Sequence, residues 1–184
     1  MEENFYDKIR DKIFRRISKE IGERENILDL GCGDCRLAFF LVKDSNRKVT
    51  GIDLYGEDFP SILEKVKEEG IIDRLRCVKK NASDLGSFSR GSFGAVVSMY
   101  SLHEFQSAPK ALKEAFKILK RHGKIVIVDF IKGSLADRLW GERYYTSKRI
   151  EEMMKKAGFE DIEFQPLSKE GPVIFTGIKD VRNR

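Results

Sequence analysis

Apolar residues at Phe5, Ile9, Ile13, Phe14, Ile17 and Ile21 recur at the three-and-four spacing of an amphipathic helix. Gly22 follows, as expected of a left-handed helix stop. Beyond it the period changes. Short apolar runs near 26–30, 48–53, 74–79, 93–99 and 123–130 predict strands, and segments of helical period near 34–43, 59–69 and 107–121 predict helices between them. An apolar run, a turn of small or acidic residues and a helix closed by glycine, repeated in that order, describe βα units feeding a parallel sheet. The helix ends have local causes. Pro60 suits a first-turn position after Asp58, Ser107 can cap a helix with Pro109 just inside it, and Gly70 and Gly123 suit left-handed stops.

After the fifth strand the alternation is lost, and residues 131–145 show no clear period. A helix from Ser147 to Ala157, stopped by Gly158, then precedes strands near 159–166 and 172–179. So short a link between them, with Gly171 and Pro172, requires an antiparallel hairpin, because a parallel pair needs a crossover of about a dozen residues.

Composition narrows this only a little. At 184 residues and 41% apolar content the chain suits one domain, divided here into an N-terminal helix (1–22), a ligand-binding core (23–130) and a substrate-side segment (131–184). The net charge of +5, with no run of five like charges, reads as a solvated surface and gives slight support to nucleic acid as a partner. No apolar run reaches 18 residues, and three cysteines without a secretory leader fit a reducing compartment, with the cytoplasm expected and no membrane.

The chemistry concentrates where Ile27-Leu28-Asp29-Leu30 runs into Gly31-Cys32-Gly33-Asp34. Glycines let a ligand approach the backbone there, and the free N–H groups of a helix start face it. The turn lacks the third glycine of a dinucleotide site, since Arg36 stands at that spacing. Asp29, two residues before Gly31, would meet a pyrophosphate with like charge, whereas a ligand bearing an ammonium and a sulfonium attracts it. Asp53, about 20 residues on at the end of the second strand, can accept from both hydroxyls of a ribose.

Asp29-Leu30-Gly31-Cys32-Gly33 with Asp53 resembles the first two motifs of the class I S-adenosylmethionine-dependent methyltransferases, in particular the small methyltransferase type 11-like members. The resemblance implies a Rossmann-like α/β fold. This is a three-layer αβα sandwich whose seven-stranded, mostly parallel sheet has an antiparallel last strand inserted beside the fifth. It implies that Asp29, Gly31, Cys32 and Gly33 hold the methionine end of the cofactor, that Asp53 and Leu54 hold the ribose, and that Asn81-Ala82 reads the adenine in place of the usual acid-alanine pair. Cys35 stands where the family usually has glycine, and Asp84 is a nearby substitute for Asn81 that also looks like a helix cap.

Residues 98–103, Ser98 included, should face the transferring methyl, since ligands of open α/β sheets lie beyond the carboxyl ends of the strands. In several members a Leu-His pair stands where Leu102-His103 does, so His103 is the candidate general base, against a structural imidazole as the alternative. His122 suits a helix C-terminus. Trp140, Tyr144 and Tyr145, with Phe5 and Tyr6, are candidate acceptor walls. Cys32 and Cys35 have the spacing of half a metal site, but ligands for the other half are lacking in the sequence and no metal is expected. The expected activity is methyl transfer from S-adenosylmethionine to a small acceptor, giving S-adenosylhomocysteine. An RNA or protein methyltransferase and a non-catalytic cofactor-binding module are the alternatives, a dehydrogenase being disfavoured by Asp29.

Overall fold

The computed structural model describes residues 5–180, with side chains from Arg10 onward. The elements run α1 (Phe5–Ile21), β1 (Ile27–Leu30), α2 (Arg36–Asp44), β2 (Val49–Asp53), α3 (Phe59–Glu68), β3 (Leu75–Lys79), β4 (Phe93–Met99), a 3₁₀ turn (Leu102–Glu104), α4 (Ala108–Ile118), β5 (Leu119–Asp129), α5 (Leu135–Trp140), α6 (Ser147–Ala157), β6 (Glu160–Pro166) and β7 (Val173–Ile178). Among the described residues they form one seven-stranded sheet of order β3-β2-β1-β4-β5-β7-β6. β7 runs antiparallel to both its neighbours and the other pairings are parallel.

Neighbouring strand residues supply opposite layers, as the two-residue period requires. Ile27, Val97 and Val126 pack with Ile17, Leu41 and Val66 of α1, α2 and α3. Leu28, Val96 and Ile125 pack with Leu112 of α4 and Ile150 and Met154 of α6. Both faces of the sheet are therefore covered, which is why Ile27-Leu28 of β1, Ala95-Val96-Val97 of β4 and Ile125-Val126-Ile127-Val128 of β5 are apolar at consecutive positions. Arg47 fastens α1 to the rest by donating to Ser18 Oγ at 2.7 Å and to the Gly22 carbonyl at 2.7 Å.

Gly22, Gly70 and Gly158 all have positive φ at helix ends, and the Ser107 side chain accepts from the Lys110 N–H. The region around Gly123 departs from expectation. α4 stops at Ile118, β5 begins at Leu119, and its register against β4 shifts between Phe93 and Ala95. His122, with φ +58°, takes the left-handed conformation expected of Gly123 and belongs to a strand irregularity, not to a helix end. Gly123 is needed for proximity, because a Cβ there would lie 2.8 Å from the Lys120 carbonyl oxygen. Segment 131–145 contains the short helix α5, whose signal is Ser134-x-x-Asp137. Ser134 Oγ accepts from the Asp137 N–H, and the Asp137 carboxylate accepts from the Gly133 N–H at 2.8 Å, in the manner of a capping box. Asp84 caps no helix, since an irregular loop joins β3 to β4.

The strand order reverses direction between β1 and β4. A crevice opens there beyond their carboxyl ends.

Candidate functional site

β1 is wholly buried, and its exit is forced into a tight turn by three left-handed residues, Gly31, Gly33 and Cys35, with φ of +68°, +52° and +59°. The Gly31 and Cys32 N–H groups donate to the Ile52 carbonyl at 2.9 and 3.0 Å, and the Gly33 N–H donates to Asp53 Oδ2 at 2.9 Å. Gly31 has a second constraint, because a Cβ on it would lie 2.5 Å from Ser101 Cβ. Ser101 is itself fixed, donating to the Leu30 carbonyl at 2.9 Å and lying 2.8 Å from Ser98 Oγ. A Cβ on Gly33, by contrast, would meet no atom within 4 Å. Gly31→Ala is therefore expected to destabilise the protein by about 2–5 kcal/mol, summing the left-handed and overpacking costs. Gly33→Ala should cost only about 1–2 kcal/mol. Denaturant unfolding of the two variants measures the difference.

Cys35 meets the left-handed requirement without being glycine and is fully buried. Its sulfur lies 3.2 Å from Cys32 Sγ and 2.7 Å from Cys77 Sγ. The neighbouring sulfur and burial push the Cys77 thiol up, and the Cys32 contact and burial do the same to Cys35. Gly51 makes room for the cluster, since a Cβ there would lie 2.9 Å from Cys32 Sγ. Nothing in the sequence ties Cys77 to the turn except its place opposite Gly51, which only the β2–β3 register establishes.

Three cavities meet at this crevice. The first, about 240 Å³, is lined by Asp29, Gly31, Cys32, Asp34, Arg36 and Tyr100, with Arg10 also at its wall. Asp29 is 1% exposed and its Oδ2 has no hydrogen-bond partner. Burial, followed by the charges of Asp53 and Asp34, raises its pKa to about 7. Such an oxygen can accept from a cationic donor, and Arg10 and Arg36 bring positive charge to the same cavity.

The second cavity, about 390 Å³, shares Gly31 with the first and holds Asp53, Leu54, Asn81, Ala82, Ser101 and Glu104. Asp53 accepts from the Gly33 and Tyr55 N–H groups, which orients its carboxylate while leaving lone pairs free. Asn81 Oδ1 accepts from the Ser83 N–H at 2.8 Å and retains a second lone pair and two amide donors. Leu54 and Ala82 give apolar walls. Ser98 lies behind this surface, 2% exposed and lining none of the three cavities. Ser101 is the serine that reaches the crevice.

The third cavity, about 380 Å³, shares Tyr100 with the first and Glu104 with the second. His103 stands in its wall. Its Nδ1 lies 2.7 Å from Asp129 Oδ1, and its backbone N–H donates to Asp129 Oδ2 at 3.1 Å. Its Nε2 lies 3.0 Å from Glu142 Oε2, which also accepts from the Tyr144 hydroxyl at 2.6 Å. Burial, the largest single influence, opposes charge on the imidazole, but the Asp129 bond and the charges of Asp129, Glu104 and Glu142 together outweigh it, and its pKa lies above the ordinary value. Trp140 and Tyr144 line this cavity, whereas Tyr145 packs against the core on the α4 and α6 side. The side chains of Phe5 and Tyr6 lie outside the described residues. Tyr100, at the junction of two cavities, is a bulky residue with φ +58°, a strained conformation of the kind found at ligand sites.

A family model described as a methyltransferase domain matches residues 28–127, more than half of the chain. The chain belongs to this family of methyltransferase domains. A ubiquinone/menaquinone biosynthesis C-methyltransferase of Sinorhizobium fredii is 29% identical over 135 residues, which cover 71% of this chain and 52% of that protein. The chain thus spans about half the length of that curated relative. Among solved structures, the Haemonchus contortus phosphoethanolamine N-methyltransferase 2 in complex with S-adenosyl-L-methionine has a TM-score of 0.80 at 19% identity, covering 92% of this chain and 53% of that one. The [4+2]-cyclase SpnF has a TM-score of 0.79 at 20% identity, covering 90% and 81%. Likeness at that level shows the fold and leaves the chemistry to the site.

For this methyltransferase-family chain, Asp29, Gly31, Cys32, Asp53, Leu54, Asn81 and Ala82 line two adjoining cavities, Gly33 lines neither but donates to Asp53, and His103 faces the third. Asp129 and Glu142 line or support the site without having been singled out by the sequence pattern, and Tyr100 was expected there only as part of segment 98–103. Asp129 carried a signal, as an acid ending the apolar run Ile125-Val126-Ile127-Val128, since a carboxylate in so buried a strand needs a partner.

Proposed function

We propose that this chain transfers a methyl group from S-adenosylmethionine to a small-molecule acceptor, with His103 as general base. The observation carrying this reading is the confluence of three cavities at the strand-order reversal, one of them centred on the buried, unpartnered Asp29 oxygen. Family membership and the S-adenosylmethionine held by the Haemonchus enzyme support it. When bound, the cofactor supplies an electrophilic methyl on a good leaving group, so the protein's share is alignment, water exclusion and proton removal.

Asp29 would take the cofactor ammonium, Arg10 or Arg36 its carboxylate, Asp53 the ribose hydroxyls, and Asn81 the adenine edge between Leu54 and Ala82. Asp129 orients His103 by accepting from Nδ1–H, so that Nε2, once it gives up the proton it donates to Glu142, turns its lone pair to the third cavity. Glu142 stands at that nitrogen. An acceptor O–H or N–H that uses His103 as a base must take its place.

Calorimetric titration with S-adenosylhomocysteine tests the cofactor reading. Binding is expected in the wild type, and Asp53→Ala should weaken it by about 10- to 150-fold, the range for hydrogen bonds to a charged group. Absence of binding in the wild type would overturn the proposal, and unchanged affinity in the variant would remove Asp53 from the ribose site.

A further inference from the structure

The third cavity pairs an aromatic lining with an excess of acid. The Tyr100 and Phe130 rings stack with centroids 4.9 Å apart and planes 13° from parallel. Trp140 and Tyr144 set their rings nearly perpendicular to Phe130, at 82° and 74° and centroid distances of 5.6 and 6.1 Å. Four mutually packed aromatic side chains thus line the cavity. Glu104 and Glu142 line it as well, and Asp129 lies buried behind His103. Among the described residues that line it, His103 is the sole side chain able to carry positive charge, and there is no Lys or Arg.

We infer that this cavity recognises its acceptor through a positively charged nitrogen, as an alkylamine or arylalkylamine. The inference rests on the reading of the cavity as the acceptor site. Ring faces and carboxylates both attract a cation, and the attraction to the rings strengthens as water leaves. An anionic acceptor would meet two carboxylates with one imidazole to offset them. A neutral one would take water from those carboxylates without bringing a positive charge to offset the loss, which is costly.

Geometry also links recognition to the base. Glu142 Oε2 is shared between His103 Nε2 and the Tyr144 hydroxyl. An incoming ammonium that draws Glu142 to itself vacates Nε2, so the charge that selects the acceptor also uncovers the imidazole. At about 380 Å³ the cavity suits a small amine, within the ordinary size of ligand sites.

The test is calorimetry at pH 7 on protein saturated with S-adenosylhomocysteine, using three probes of one shape: 2-phenylethylamine, 2-phenylethanol and phenylacetate. The amine should bind about tenfold or more tighter than the alcohol, and phenylacetate should bind weakest. Glu142→Gln should remove most of the amine's advantage while leaving the alcohol's affinity within about twofold. Equal or tighter binding of the alcohol or the acid, an amine preference indifferent to Glu142→Gln, or no binding of any probe at about 10 mM overturns the inference. If S-adenosylhomocysteine binds and the amine preference is absent, this inference alone falls. If S-adenosylhomocysteine itself fails to bind, the methyl-transfer reading falls and takes this one with it.

Discussion

Turnover of a methyl acceptor should fall by about 10²–10⁴-fold in His103→Ala, the usual contribution of a positioned general base. The magnitude follows from how firmly the ring is held. Asp129, 1% exposed, accepts from the Phe130 N–H at 2.8 Å as well as from the His103 backbone and ring. The imidazole therefore cannot rotate without leaving a buried carboxylate short of partners, a loss of about 1–3 kcal/mol or more for a charged group. Asp129→Asn should cost nearly as much activity, because the amide can present its N–H to Nδ1 and stabilise the wrong tautomer. The pH profile gives a second readout. A base acts only when neutral, and the Asp129 bond keeps the pKa of His103 above its ordinary value, so kcat/KM should fall with decreasing pH from a point above about 6.5. In Asp129→Asn that limb should move to lower pH. Turnover within a few fold of wild type in a folded His103→Ala protein would make the imidazole structural.

Asp29→Asn should act in opposite directions on stability and on binding. A carboxyl whose folded-state pKa lies above its unfolded value makes the folded state bind more protons between the two. Stability therefore falls as pH rises through that window, which for Asp29 runs from about 4 to about 7. The full penalty above pH 7 is about 4 kcal/mol, at 1.36 kcal/mol for each pH unit separating the two values. Asparagine has no charge to desolvate, so the stability of the variant should lack this decline, and urea unfolding at pH 4 and pH 8 measures the contrast. The same substitution should weaken S-adenosylhomocysteine binding by about 10- to 150-fold through loss of the charged partner for an ammonium. In the wild type, binding should release a proton near pH 6, because the ligand's ammonium favours the ionised carboxylate. Titrations in buffers of different ionisation enthalpy detect that release. An identical pH dependence of stability in the two proteins would show that Asp29 titrates in the ordinary carboxylate range.

The buried acid exemplifies a stability–function conflict. An unpartnered carboxylate near the end of a buried strand is retained at a cost that a ligand can offset. Asp29 is the penultimate residue of β1, whereas Asp53 and Asp129 are the last of β2 and β5, and each of those two has backbone N–H groups to satisfy it. That difference leaves Asp29 as the member of the three with a buried oxygen that has no hydrogen-bond partner.

Period and spacing along the chain carried the helices, the strands and the glycine turn with its two acids, because each of these is written in residues close together. Ile27 to Leu30 must be buried on both faces, Gly31 must turn with positive φ, and Asp53 must arrive at the end of the next strand, whatever lies further away. The capping pair Ser134 and Asp137 is equally local, but the six-residue helix it starts is too short to show a period and went unread in the sequence. The partners of His103 are not local. Asp129 reaches it from the far end of β5 across 26 residues and Glu142 from a loop 39 residues away. Which residues of those segments come level with the imidazole depends on strand register and on the path of the chain over the sheet. The same holds for Cys77, brought to Cys35 by the β2–β3 register, and for the exchange of roles between His122 and Gly123, set by a shift in the β4–β5 ladder. Local sequence encodes what each segment prefers. Contacts between distant segments follow from how several such preferences are satisfied at once in a single close-packed sheet, and that is where the third cavity and its charge were made.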